Sequence, residues 1–215
     1  YAAKAALVGN SKAAILQSDS VKDYYDTTII IDLETAQKAI DKDEYSILLH
    51  EMIHSKQPLA DENEPTEPRQ VMINEGITEA ITQNLLEKAD VPDCKGIVAY
   101  PLEEAFVKLA AKKIAENKGS SIDEVLESIN TMSPSEKEKF FETNLSSRYG
   151  VQESFDAISH SVDTDINKIY EDNKIPMAQF GDPNAYRRTP EQADLIYKAS
   201  EEWAIETFDA LFETK

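Results

Sequence analysis

Soft metal-binding side chains are scarce in this 215-residue chain, which holds one cysteine, Cys94, and three histidines. A lone cysteine excludes an internal disulfide framework and any Cys-rich zinc module, so metal chemistry here must use histidine and carboxylate. Positive charge is scarce too: 22 Lys and Arg face 41 Asp and Glu, for a formal charge of −19. Such a field repels nucleic-acid phosphates and anionic membrane surfaces, and no basic cluster offsets it. No apolar run nears the roughly 18 residues that span a bilayer. The longest candidates, such as Tyr45 to Leu49, are interrupted by charge within a turn or two. Nucleic acid and membrane insertion are therefore set aside as partners. The acidic excess suits a solvated surface, and would also draw in a cation or a basic peptide. Because the chain starts at Tyr1 rather than Met, removal of an upstream segment and an extracellular or cell-envelope location are the expectation.

With 41% hydrophobic and 29% charged residues, the composition is that of a soluble globular protein. The length allows one core, or a core split into lobes at 1–90 and 91–215 around a cleft, and a single compact unit is expected. Nothing in the pattern sets an oligomeric state. The opening YAAKAALVGNSKAAIL, rich in Ala, Leu and Lys, predicts a helix interrupted near Gly9 and Asn10. Thr27 to Asp32, TTIIID, is a β-branched run and the clearest strand. From about Glu44 to Ser55, apolar side chains at Ile47, Leu48, Leu49, Met52 and Ile53 predict a mostly buried helix. Gln57 to Arg69, with three prolines and four acidic residues, predicts a loop. Helical spacing returns through Ile73, Ile77, Ile81 and Leu85, to about Lys88, and the segment from Pro92 to Gly96 breaks it. Further helices are expected over Leu102–Asn117, Ile122–Asn130, Glu136–Ser147, Gln152–Asp172 and Glu191–Glu213. Ser133 with Pro134 and Thr189 with Pro190 read as helix starts, and Gly119 and Gly150 as helix stops. Asn173 to Arg188 reads as a second long loop.

The segment that carries chemistry is HEMIH, residues 50–54. Residues four apart on a helix lie one turn above one another, so His50 and His54 point the same way and can share one metal ion. Glu51, rotated about 100° from His50, sits beside that ion rather than on it, where it can take a proton from bound water. A catalytic zinc usually has three protein ligands and one open position. The third is offered by INEGITEA, residues 73–80, in which Glu75 follows His54 by 21 positions across the proline-rich loop. Glu79, one turn further on the same face, suits a carboxylate that accepts the free ring N–H of a ligating histidine and fixes its tautomer. Gly76 beside the ligand would let the two metal-bearing helices approach closely.

HEMIH followed after a loop by NEGITE resembles the gluzincin (thermolysin-like) branch of zinc metallopeptidases, the matched stretch being about Thr27 to Leu86. That resemblance implies an α+β, predominantly helical, zincin-like fold with a small N-terminal sheet and a helical C-terminal part. It implies Zn²⁺ held by His50, His54 and Glu75, Glu51 as general base, Glu79 supporting a ligand histidine, and a peptide or protein substrate. The strand at Thr27 to Asp32 resembles one whose edge binds an extended peptide by main-chain pairing. Glu79 stands where thermolysin-like members have Asp, a longer reach that many other gluzincins use. The C-terminal 125 or so residues match no subfamily, so substrate preference is not inherited.

His160, Tyr100, Tyr149 and Tyr186 are the candidates to stabilise an oxyanion, and the residues do not choose among them. The acidic loop Asp61 to Glu67 lacks the glycine and spacing of an EF-hand and reads as solvated rather than calcium-binding. The alternative to a peptidase is a zinc-binding, non-catalytic interaction module on the same fold. An intact Glu51 speaks against it, because a structural site needs no base beside the metal.

Overall fold

A computed structural model describes residues 13–18, 26–31, 45–58, 67–90, 98–176 and 188–213. Cys94, Tyr186 and most of the Asp61–Glu67 loop lie outside these residues. The fold is predominantly helical, with a small two-stranded antiparallel sheet. β1 (Ala13–Ser18) pairs with β2 (Asp26–Ile31) in a register that sets Ala13 opposite Ile31 and Ser18 opposite Asp26. β1 corrects the last part, at 13–16, of the helix expected over 1–16, whose earlier residues lie outside the described ones. Helix propensity in AAIL is a few tenths of a kcal/mol per residue, and strand pairing with the β-branched TTIII outweighs it.

Seven helices follow among the described residues: α1 (Ser46–His54), α2 (Pro68–Lys88), α3 (Pro101–Lys118), α4 (Ile122–Asn130), α5 (Pro134–Asn144), α6 (Val151–Asp172) and α7 (Pro190–Leu211). Their starts are written locally. Ser121 with Glu124, Ser133 with Glu136 and Thr189 with Gln192 form reciprocal capping boxes that satisfy otherwise orphaned backbone N–H groups. Gly119 closes α3 in the left-handed region at φ 67°. Gly150, expected to stop a helix, instead opens α6 at φ 99°. The helix expected to run to Ser147 ends at Asn144, and the one expected to reach Glu213 ends at Leu211. The residues beyond them, Ser146–Ser147 (β3) and Phe212–Glu213 (β4), pair with each other.

The core lies between α2, α3, α4, α6 and α7. Phe106 on α3 is wholly buried, its ring 5.6 Å from Phe155, 6.1 Å from Phe208 and 5.8 Å from Phe212. Ile73, Ile77 and Ala80 turn one face of α2 into this core, while Leu85, expected there, is exposed and its neighbour Leu86 is buried. α2 and α3 pack closely at Gly76: a Cβ there would lie 2.5 Å from the Glu103 carbonyl oxygen and 2.7 Å from Val107 Cγ2. The glycine thus admits α3, not the histidine helix that the sequence suggested. Beyond the core, α1 packs on α2 and beside β1 and β2. It buries Ser46, His50 and Ile53, leaves Ile47, Leu48 and Leu49 half-buried, and exposes Met52 by 43%.

Candidate metal centre

α1 and α2 bring His50, His54 and Glu75 together as a group able to hold a metal ion. The histidines, one turn apart on α1, present their Nε2 atoms 3.0 Å from each other. Glu75 Oε2, on the second turn of α2, lies 3.1 Å from His50 Nε2 and 3.2 Å from His54 Nε2. A tetrahedral ion with ligands at about 2.0–2.1 Å sets those atoms about 3.3–3.4 Å apart, so the triangle has nearly the size such an ion requires. α2 is held at its start by Arg69, which reaches Glu138 on α5 at 2.6 Å and Asp156 on α6 at 3.0 Å.

The outer ring nitrogens are engaged as well. His50 Nδ1 lies 2.9 Å from Glu79 Oε2, and Gln83 Nε2 donates to Glu79 Oε1 at 2.7 Å. Because a carboxylate only accepts, His50 Nδ1 carries a hydrogen, so a metal that replaces the proton shared between Nε2 and Glu75 would be met by Nε2. His54 Nδ1 lies 3.2 Å from Gln57 Oε1. Gln57 in turn donates from Nε2 to Thr78 Oγ1 and to Asn130 Oδ1, both at 2.8 Å.

The carboxylates of the cluster favour positive charge beside them. Burial opposes charge on His50, which is only 8% exposed, yet Glu75 and Glu79 outweigh it and push its pKa up to about 9. For Glu75, burial is more than reversed by hydrogen bonds from His50 and His54, which hold it at about 2. Thus a proton is drawn to the place a metal would take. Burial raises Glu51 above the ordinary carboxylate range, with both imidazoles opposing. Burial likewise lifts Glu103 and Glu104 on α3 to about 7, and Glu75 and Glu79 add to the effect at Glu103.

Of the oxyanion candidates, Tyr100 stacks its ring on His50, the centroids 5.7 Å apart and the planes within 16°. It stands at the start of α3 in the left-handed region and is 41% exposed. His160 is exposed on α6 and donates to its own helix at the Asp156 carbonyl, 2.7 Å away. Tyr149 is exposed.

Sequence reasoning missed Gln57, Thr78, Gln83 and Asn130. Gln57 follows His54 by three positions, the spacing of helix neighbours, and Gln83 follows Glu79 by four, so both were findable. Asn130 lies 73 residues from Gln57 and left no local signal. Also unforeseen is Lys137 on α5, 1% exposed, whose Nζ donates to Asn74 Oδ1 at 2.8 Å and whose pKa burial lowers to about 8.

No known protein family, curated protein or solved structure matches the chain. Among the described residues no helix is long and apolar enough to cross a membrane.

Proposed function

We propose that this chain is a zinc-dependent metallopeptidase of zincin-like fold, cutting peptide bonds with Glu51 as general base. The observation that carries the reading is the convergence of His50 Nε2, His54 Nε2 and Glu75 Oε2, with Glu51 the next residue on the same helix. Two imidazoles and one carboxylate suit zinc, and three protein ligands leave the open position of a catalytic site. When bound, the metal supplies Lewis acidity, polarising a carbonyl oxygen and lowering the pKa of water toward about 7.

The chain's own residues do the rest. Glu79 and Gln57 hold the hydrogens of both imidazoles on Nδ1, away from the reacting atoms. Burial raises the pKa of Glu51, which makes it a better proton acceptor near neutral pH. As the water oxygen bonds to the carbonyl carbon, Glu51 takes the water's proton. As the C–N bond breaks, it returns that proton to the leaving nitrogen, and the products are a carboxylic acid and an amine, which at neutral pH pass the acid's proton on to leave a carboxylate and an ammonium group.

The test is metal analysis of the purified chain followed by a mixed peptide library, with chelation and zinc re-addition as control. Glu51→Gln is expected to bind zinc like the wild type and lose about 10²–10⁴-fold in kcat/KM. A wild type that binds no zinc ends the metal reading. A zinc-loaded wild type that cuts nothing leaves the interaction module in its place.

A further inference from the structure

We propose that Gln57 is the positioning residue for His54, its side-chain amide oriented by Thr78 and Asn130 so that it selects which ring nitrogen of His54 meets the metal. The inference rests on reading His50, His54 and Glu75 as metal ligands.

A hydroxyl has one hydrogen to give, and that of Thr78 goes to the Asn74 carbonyl at 2.8 Å. The Thr78 oxygen can therefore only accept from its other neighbours. Gln57 lies 2.8 Å away and so must turn its NH₂ toward Thr78, with Asn130 Oδ1 receiving the second hydrogen at 2.8 Å. The amide oxygen is left facing His54 Nδ1 at 3.2 Å, with Thr78 Oγ1 as a weaker second acceptor at 3.3 Å. Both are acceptors, so Nδ1 carries a hydrogen, and once a metal takes the place of the proton facing Glu75 the Nε2 lone pair is the one delivered to it. A reversed amide would set a donor against Nδ1 and place the hydrogen on Nε2, which cannot then ligate.

The two histidines are thus supported differently. His50 leans on a carboxylate from the ligand-bearing helix itself. His54 leans on a neutral amide anchored at the last residue of α4, so a helix that supplies no ligand sets the orientation of one.

The experiment is zinc affinity by competition with a chelator, together with the visible spectrum of the cobalt(II)-loaded chain, which reports coordination geometry directly. Gln57→Ala is expected to weaken zinc about 10–100-fold and to change the cobalt spectrum. Gln57→Glu, whose carboxylate still accepts from Nδ1, is expected to restore most of the loss. Thr78→Val, which frees the amide to turn, is expected to cost about fivefold, the worth of one hydrogen bond. A wild type that binds zinc while Gln57→Ala binds it equally, with an unchanged cobalt spectrum, overturns the inference alone. A wild type that takes up no zinc overturns the metal reading and the inference with it. Should Gln57→Ala fail to fold, the ordering of wild type, Gln57→Glu and Thr78→Val still decides, because equal affinity in all three contradicts the role.

Discussion

The interior around Phe106 and the corner around His50 share one helix, α2, yet they are built on opposite principles. Ile73, Ile77 and Ala80 face a core in which Phe106 meets Phe155, Phe208 and Phe212, and any apolar group of similar shape could do much the same work. Glu75, Thr78 and Glu79 face α1, where each contact has a donor, an acceptor and a direction. The first region is tolerant in identity and sensitive to volume. The second is sensitive to identity, because a misdirected hydrogen on one imidazole removes a ligand. Stability should therefore reside in the core and metal affinity in the corner, each separately breakable.

The largest effect is expected from Phe106→Ala, which should lower unfolding stability by about 3–5 kcal/mol. Denaturant melts of the metal-free chain measure it, and a loss under about 1 kcal/mol would mean the aromatic cluster does not anchor the core. Glu75→Ala should weaken zinc more than about 100-fold, beyond what loss of a supporting group does, and abolish the rise in Tm that zinc gives the wild type. If Glu79→Ala weakens zinc more than Glu75→Ala does, ligand and support have been exchanged.

Glu104 blurs the division, since it is a carboxyl within the α2–α3 packing. Oε1 meets Lys108 at 3.3 Å, and Oε2 is buried with no hydrogen-bond partner among the described residues. Its pKa rises on folding from 4.5 to about 7, so the folded state holds the proton longer. The stability this contributes is complete below pH 4.5 and is lost as pH climbs to about 7. Glu104→Gln should then stabilise the metal-free chain relative to wild type by on the order of 1–3 kcal/mol at pH 7.5 and by little at pH 4.5. Melts across that range decide it, and a pH-independent difference would contradict the buried, proton-holding carboxyl.

The smallest effect belongs to the corner alone. With His50 titrating at about 9 in the metal-free chain, zinc must displace a proton at neutral pH. Apparent affinity should rise about tenfold per pH unit up to about pH 9 and flatten above it. Proton release on zinc addition, measured in buffers of different ionisation enthalpy, provides the check. No release at pH 7 would show that His50 is neutral before metal arrives.

Much of the fold could be read locally. Ile122–Asn130 has the predicted limits, and α2, α3 and α6 begin within a few residues of expectation, because capping boxes, prolines and 3.6-residue spacing are short-range signals. The misreadings come where a distant partner decides. Ala13–Ser18 is a strand because Asp26–Ile31 lies beside it, and Ser146–Ser147 leaves α5 to pair with Phe212–Glu213. Gly150 needs a positive φ that suits either end of a helix, so composition alone could not say which.

By itself the sequence determined which side chains form the candidate metal site: histidines four apart with a glutamate between them, and a second glutamate motif within reach of one loop. Helix geometry fixes those relations within a turn. Only the tertiary structure decided how the site is held. Gly76 receives α3 rather than α1, Tyr100 lies on His50, and Asn130 orients the amide that supports His54. These depend on where whole helices pack, a collective property of the core, and packing joins residues that no spacing along the chain relates.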